Sequence, residues 1–374
     1  METPRYEYSE SVLLERIASL TQLKAPYGLL VRYAVKANMF EPIIQILHSH
    51  GIHFDASSSY EAAFLLEQGV PGAHISLSSQ QSPHNLLELL DAGVQFVATS
   101  FKQLELFLLA PERPDVVAVR INPAVGYGYN NRTNTGGVNA SFGIWHEYIP
   151  EIVRVTSERG VAVNRVHIHC GSGADPAVWA GVMDTALSIM EQFPDATTLD
   201  IGGGFKVART ADEVEVDMTE IMNVFSEKLH AFQLRTGRAL KLEIEPGAYV
   251  VAASGTLVAT VDDIVDTGEQ GHVFLRLNTG MNDFMRTSLY GAQHRITVVT
   301  TALETKDYIV VGHNCESGDL LTPAPGNPEV MLPRQLPVAQ IGDEVRIHDV
   351  GAYGASMRVR GYNAFPDAAE YLVS

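Results

Sequence analysis

The sequence predicts an α/β barrel of eight strands and eight helices, a (β/α)8 barrel, followed by a C-terminal mostly antiparallel β domain. Two observations predict it. Eight short runs rich in Val, Ile and Phe alternate with amphipathic segments up to about residue 250, and beyond that point β-rich runs separated by turns replace them. Continuous apolar strands alternating with helices imply a parallel sheet covered by helices. Eight such units suit a closed barrel; a doubly wound open sheet is the alternative.

The eight runs lie near 28–36, 52–56, 74–78, 95–99, 116–122, 163–170, 197–202 and 241–247. Between them, IIQILHSHG, EAAFLLEQG and HNLLELLDAG carry apolar residues three and four apart and then a Gly, the pattern of a helix and its exit. IPEIVRVTSERG, VWAGVMDTALSIM and MTEIMNVFSEKLHAFQL predict longer helices. After these come VVAASGTLVATVDDIV, HVFLRLN, RITVVTT, DYIVVGHN and EVRIHDV, with no long helix among them. The chain therefore divides into a barrel over 20–250 and a β domain made of 1–19 and 251–374. An insertion rich in Gly, Asn and Tyr at 123–145 is long for a loop, and such loops on barrels are functional or mobile.

Composition narrows the function. Of 374 residues 46% are hydrophobic, enough for a large core, and the formal charge of −18 disfavours a phosphate backbone as partner. The two cysteines, Cys170 and Cys315, exclude a disulfide framework and suggest a reducing compartment. With no apolar run long enough for a bilayer and no leader pattern, the expectation is a cytoplasmic protein with no membrane and no nucleic-acid partner.

A barrel of this kind builds its site at the C-terminal ends of its strands. Those ends carry Lys36, Asp55, Ser78, Thr99, Asn122, His169, Gly202 to Gly204 and Glu245. Lys36 follows an apolar strand; burial would depress its pKa and make it a Schiff-base nucleophile, whereas a lone strand-end lysine ordinarily reaches solvent. The glycines of DIGGGF either open backbone N–H groups to a phosphate or make a tight turn. Glu245 suits a ring N–H or a structural ion pair. His169 could stack on a ring, but alone reads better as a satisfied core histidine. His167 and His169 share a strand face, but no third ligand follows at metal-site spacing, so no metal is expected. Cys315, in NCESGD, is either a small buried hydrophobe or, beside acidic residues, a proton-donating thiol rather than a thiolate.

Together these motifs resemble one family. YAVKAN, FDASS, RINP, SFGI, HIHCGS, DIGGGF, EPG, GMNDFMRTSLYGAQH, NCESGD and GAYG occur in the order found in the pyridoxal-phosphate-dependent decarboxylases of the alanine-racemase-like fold. The set is most similar to that of the diaminopimelate decarboxylases. The resemblance implies pyridoxal 5'-phosphate as cofactor. It implies decarboxylation of meso-2,6-diaminopimelate to L-lysine and CO2 through an external aldimine, the last step of lysine biosynthesis. By resemblance Lys36 would carry the cofactor, Glu245 would meet its ring nitrogen and His169 would lie on its ring face. Asp55 falls in the acidic motif of the second strand and counts with the cofactor-binding residues. Ser172, Gly203, Gly204, Gly247 and Tyr353 would surround the phosphate. Arg286, Tyr290, Glu316 and Tyr353 would contact the small amino-acid substrate. Cys315, as proton donor, and Glu316 would reach across from the second subunit of a homodimer.

The chain departs from the family pattern twice. The family often reads EPGR, with an Arg that helps bind the distal carboxylate, where this chain has Ala248; and a basic residue often precedes FG, where this chain has Ser141. These departures leave open a related decarboxylase acting on another polar or basic amino acid, of ornithine/lysine type or a citryl-amino-acid siderophore intermediate. A racemase fits Glu245 and the β-domain motifs less well, and a catalytically dead regulatory homologue fits the intact Lys36, Glu245 and Cys315 less well.

Overall fold

The computed structural model describes residues 1–127 and 136–374. Strand β1 (Arg5–Ser9) and helix α1 (Glu10–Thr21) lead in. The barrel units follow as β2 (Leu29–Ala34) and α2 (Glu41–Ser49), β3 (His53–Ala56) and α3 (Ser59–Glu67), β4 (Ile75–Ser78) and α4 (Leu86–Asp91), then β5 (Gln95–Ala98) and α5 (Phe101–Leu109). After β6 (Val116–Asn122) come a two-residue β7 (Ile144–Trp145) and α6 (Ile149–Glu158). The set is completed by β8 (Ala162–His167) and α7 (Pro176–Met190), β9 (Thr198–Asp200) and α8 (Met218–Thr236), β10 (Lys241–Ile244) and the short α9 (Ala248–Val251).

All eight predicted runs form strands, and they close into a parallel ring in the order β2, β3, β4, β5, β6, β8, β9, β10. The barrel, not the open sheet, is the architecture. The predicted helices form, and α5 adds one in a stretch that apolar spacing alone leaves unassigned. Helix starts obey local chemistry. Ser58 and Ser100 accept hydrogen bonds from Glu61 N and Gln103 N, and Asp217 caps α8. Each such cap contributes about 1 kcal/mol.

The barrel lumen is charged as well as apolar. Arg32 on β2 lies 2.9 Å from Glu243 on β10, and Arg165 on β8 lies 2.8 Å from the same carboxylate. Arg165 also pairs with Asp200 and donates to Ser76 Oγ at 2.9 Å on β4, across the ring. These buried charges are partnered, as burial requires.

The β domain contains β11 (Gly255–Asp266), β12 (Val273–Leu277), helix α10 (Arg286–Tyr290), β13 (Ile296–Val299) and β14 (Thr305–Val311). A small hairpin, β15 (Pro323–Ala324) and β16 (Asn327–Met331), precedes β17 (Arg334–Pro337), β18 (Glu344–His348) and β19 (Ala369–Val373). The sheet runs β13-β18-β11-β12-β14-β17 and is antiparallel except at β12–β14. Strand β1 joins this sheet, antiparallel to β11 and parallel to β19. No helix among the described residues is long and apolar enough to cross a membrane.

Three bonds fix the β domain against the barrel mouth. Tyr353 N donates to Ala37 O at 2.8 Å, Asn38 Nδ2 to Gly351 O at 2.9 Å, and Ser356 Oγ to Ala37 O at 3.0 Å. The GAYG turn is thereby held beside the lysine that follows β2.

Candidate active site

Strand β2 ends in a single tight turn, Val35–Ala37, which carries Lys36. Its side chain is open to solvent within the barrel mouth. The structure corrects the expected depression of its pKa. Burial does push it down, but the facing Tyr353, Asp55 and Glu245 outweigh that, and the net shift is upward. Before loading, Lys36 is a cation.

Carboxyl groups surround that cation. Asp55, at the end of β3, is pushed up to about 7 by burial, against the pull of Lys36. Glu245, just past β10, is held well above the usual carboxylate range by burial and by neighbouring Asp200 and Asp55. Asp200 moves the other way: its burial is overcome by His167, Arg165 and a side-chain hydrogen bond with Glu245. Two carboxyls bonded to each other share a proton, and here Glu245 carries it.

His167 fills out this group. Its Nε2 lies 3.5 Å from Glu245 Oε2 and its Nδ1 3.3 Å from Ser78 Oγ. His167, Asp200 and Glu245 offer ligand atoms all within 4.8 Å of one another, because adjacent strands β8, β9 and β10 bring together residues far apart in sequence. Burial holds His167 neutral and takes His169 down to about 3. His169 packs against the glycine run, where a Cβ on Gly202 would come within 2.6 Å of its ring.

The glycines are demanded first by the chain itself. A Cβ on Gly203 would lie 2.4 Å from Glu245 O, and one on Gly204 2.2 Å from Gly171 O. The Gly202 amide is taken by Asp200 Oδ1 at 2.9 Å. Those of Gly203 and Gly204 lie outside the hydrogen-bond pattern of the described residues. Gly247 presses on the lysine turn, its Cβ position 3.2 Å from Ala34 and Ala37. Ser172 lies in the neighbouring loop, its amide donating to Tyr127 O at 3.3 Å.

A second cluster faces Tyr353. The guanidinium of Arg286, on α10, lies 5.8 Å from the ring centres of both Tyr290 and Tyr353. Burial, then the charge of Arg209, takes Arg286 down to about 9.

Pyridoxal-binding domains of pyridoxal-dependent decarboxylases match residues 14–252 of this chain as a family. The chain belongs to the pyridoxal-dependent decarboxylase family. It is 31% identical to the diaminopimelate decarboxylase of Streptomyces coelicolor over 99% of this chain and 84% of that protein. It is 30% identical to that of Escherichia coli K12 over 99% and 88%. The crystal structure of the Helicobacter pylori diaminopimelate decarboxylase complexed with L-lysine superposes with a TM-score of 0.86 at 26% identity, covering 100% of this chain and 92% of that one.

The residues present fit the family's cofactor, pyridoxal phosphate. Glu245 Oε1 and Asp55 Oδ1 are buried without a hydrogen-bond partner. Polar atoms so placed are costly unless a ligand meets them. Two glycine amides stand ready beside them, and one lysine is accessible.

Cys315 and Glu316 are not brought into this constellation by a single chain. Cys315 is exposed, which overturns its reading as a buried small hydrophobe. Its amide donates to Asn363 Oδ1 at 2.8 Å, and Glu316 Oε2 accepts from Tyr362 OH at 3.4 Å. Asp319 shapes the turn, accepting from Asn314 N at 2.8 Å and Met281 N at 2.7 Å. Thr99 and Asn122, though at strand ends, are spent on structure: Thr99 bonds Ser79 O and Gln103, and Asn122 bonds Gly137 O and Ala140 O. The insertion at 123–145 lies partly outside the described residues. Sequence reasoning gave no role to Asp200, Arg120 or Arg209. Arg120, inside the RINP motif, is buried with Nη2 unbonded and its charge acts on His169 and on Glu245.

Proposed function

We propose that this chain decarboxylates meso-2,6-diaminopimelate to L-lysine and carbon dioxide, the last step of lysine biosynthesis, as a cytoplasmic homodimer. The observation that carries this reading is the convergence of Lys36, Asp55 and Glu245 at the barrel mouth, beside Arg286, in a chain similar over its full length to diaminopimelate decarboxylases. The catalytic unit is assigned to 20–250 and the β unit to 1–19 with 251–374; the place of β1 in the β sheet supports that division.

Bound pyridoxal phosphate supplies an electron-accepting ring that takes up the electron pair left as carbon dioxide departs. The chain does the rest. Lys36 Nζ tethers the cofactor and gives way to the substrate amine. Glu245, carrying a proton held against Asp200, presents it to the ring nitrogen. His169, kept neutral, offers an uncharged ring face. The amides of Gly203 and Gly204, with Ser172, Gly247 and Tyr353, hold the phosphate without net positive charge, which suits an acidic protein. Arg286 and Tyr290 orient the substrate by its distal end. Cys315 and Glu316, exposed on the β domain, reach the site of the second subunit, where the Cys315 thiol gives a proton to Cα and Glu316 meets the substrate amine.

Carbon dioxide release across meso-diaminopimelate, L-lysine and L-ornithine tests the reading. Turnover confined to meso-diaminopimelate is expected. Faster release from either monocarboxylic amino acid would overturn it.

A further inference from the structure

We propose that Arg209 and Arg286 form a two-arginine cradle for the distal carboxylate of the substrate, Arg209 supplying the cation that position 248 lacks. This rests on the decarboxylase reading above and names a specificity residue within it.

Arg209 lies in the connection between β9 and α8, just past the glycine run. That connection is tied down at several points. Lys206 N donates to Gly173 O at 3.3 Å, Val216 N to Lys206 O at 3.0 Å and Arg209 N to Glu213 Oε2 at 2.7 Å. Glu215 pairs with Arg16 on α1. The backbone that carries Arg209 is therefore an organised platform.

The Arg209 charge acts on Arg286, on His294 and on Asp349; Glu213 and Tyr353 act on both arginines, yet burial keeps each below its ordinary value. Each arginine has a buried Nε with no hydrogen-bond partner, and neither guanidinium forms an ion pair among the described residues. Nearby Glu213 accepts from the Arg209 amide and lies 3.8 Å from Lys206 Nζ. Two partly buried like charges that act on each other repel, Glu213 offsets this only in part, and an anion between them would relieve it. Guanidinium forks suit a carboxylate, which takes two parallel N–H bonds from each.

The position fits the far end of a substrate. Tyr353, whose ring the Arg286 guanidinium faces, is bonded through its backbone to Ala37, next to Lys36. An amino acid held at Lys36 by one end would pass Tyr353 before reaching the arginines. Ala248, at the start of α9, leaves no cation from the EPG turn to do this work. The arginine from the glycine-run loop takes its place.

Cofactor phosphate is the other oxyanion in reach, and the test separates the two. Cofactor-loaded wild type, Arg209→Gln and Arg209→Lys are titrated with L-lysine, with cadaverine, which lacks the carboxylate, and with glutarate, which lacks the amine. Arg209→Gln should weaken L-lysine and glutarate by roughly 10- to 100-fold and leave cadaverine and cofactor content unchanged. Arg209→Lys, keeping charge but not the fork, should recover part of the loss. Equal weakening of all three ligands, loss of cofactor, or undiminished glutarate binding would each overturn the cradle. If wild type released no carbon dioxide from meso-diaminopimelate yet bound glutarate through Arg209, the substrate assignment would fall and the carboxylate cradle would stand.

Discussion

Glu245 and Asp200 bond carboxyl to carboxyl at the ends of β10 and β9, with His167 Nε2 3.5 Å from Glu245 Oε2. Their protonation is split: Asp200, paired with Arg165, stays ionised, and Glu245 keeps the proton. A Glu245 that passes this proton to a ring nitrogen becomes the carboxylate that holds the ring positive. Glu245→Gln keeps the shape and a donor but removes the carboxylate that balances a positive ring. Turnover should fall by roughly 10²- to 10⁴-fold, the range for lost proton-handling groups, with KM and cofactor content little changed. Steady-state kinetics and cofactor absorbance check this; a raised KM with kcat unchanged would assign Glu245 to binding alone.

Asp55 gives a pH signature. Its carboxyl titrates near 7 in the folded chain because burial disfavours the charge. A carboxyl raised on folding binds its proton more tightly in the native state. Its contribution to stability is present at low pH and is lost as pH rises from the unfolded value near 4 through about 7. In cofactor-free protein, the stability of wild type relative to Asp55→Asn should therefore decline between pH 4 and pH 7 and level off above. Urea denaturation at intervals across that range measures it. A difference that rises with pH would mean that Asp55 is ionised throughout.

The barrel was legible because its strands are short apolar runs and its helices end in glycine, both local signals. Gly51 and Gly69 do take positive φ, at 75° and 81°, after α2 and α3. The family motifs made Lys36 and Glu245 legible as well. The electrostatics were not. The upward shift of Lys36 comes from Tyr353 and Asp55, residues on other elements, and no sequence window contains both. The Asp200–Glu245 bond joins residues 45 positions apart, brought together because β9 and β10 pair with Asp200 opposite Glu243 and Glu245 follows just past that pair. Arg209 carries no local mark at all: its meaning comes from Arg286 and Tyr353 in the β domain. Strand periodicity reports burial, whereas charge coupling depends on which ends the closed ring brings together.

The glycine run should be intolerant of a methyl group for a reason that can be measured. A Cβ at Gly203 would sit 2.4 Å from Glu245 O, backbone against backbone, with no flexible side chain to yield. Gly203→Ala should destabilise the protein by about 1–3 kcal/mol and displace the Glu245 segment, lowering cofactor affinity. Denaturation midpoint and cofactor titration both report on it. Unchanged cofactor affinity alongside lost stability would separate the turn's packing from its role in phosphate binding.

Cys315 is exposed, and the bond its amide makes runs to Asn363 of the β domain rather than to the barrel mouth of its own chain. If its thiol serves the partner's Lys36, each active site needs one residue from each protomer. Cys315→Ala alone should then lower turnover by roughly 10²- to 10⁴-fold with cofactor still bound. Lys36→Ala alone should lose the visible absorption of lysine-bound cofactor and all turnover. An equimolar mixture, dissociated and reassociated, should recover about a quarter of wild-type activity, because half the dimers are mixed and each mixed dimer holds one intact site of two. No recovery from a mixture shown by mass to contain mixed dimers would place Cys315 and Lys36 in the same chain's site, and undiminished turnover of Cys315→Ala alone would remove Cys315 from the reaction.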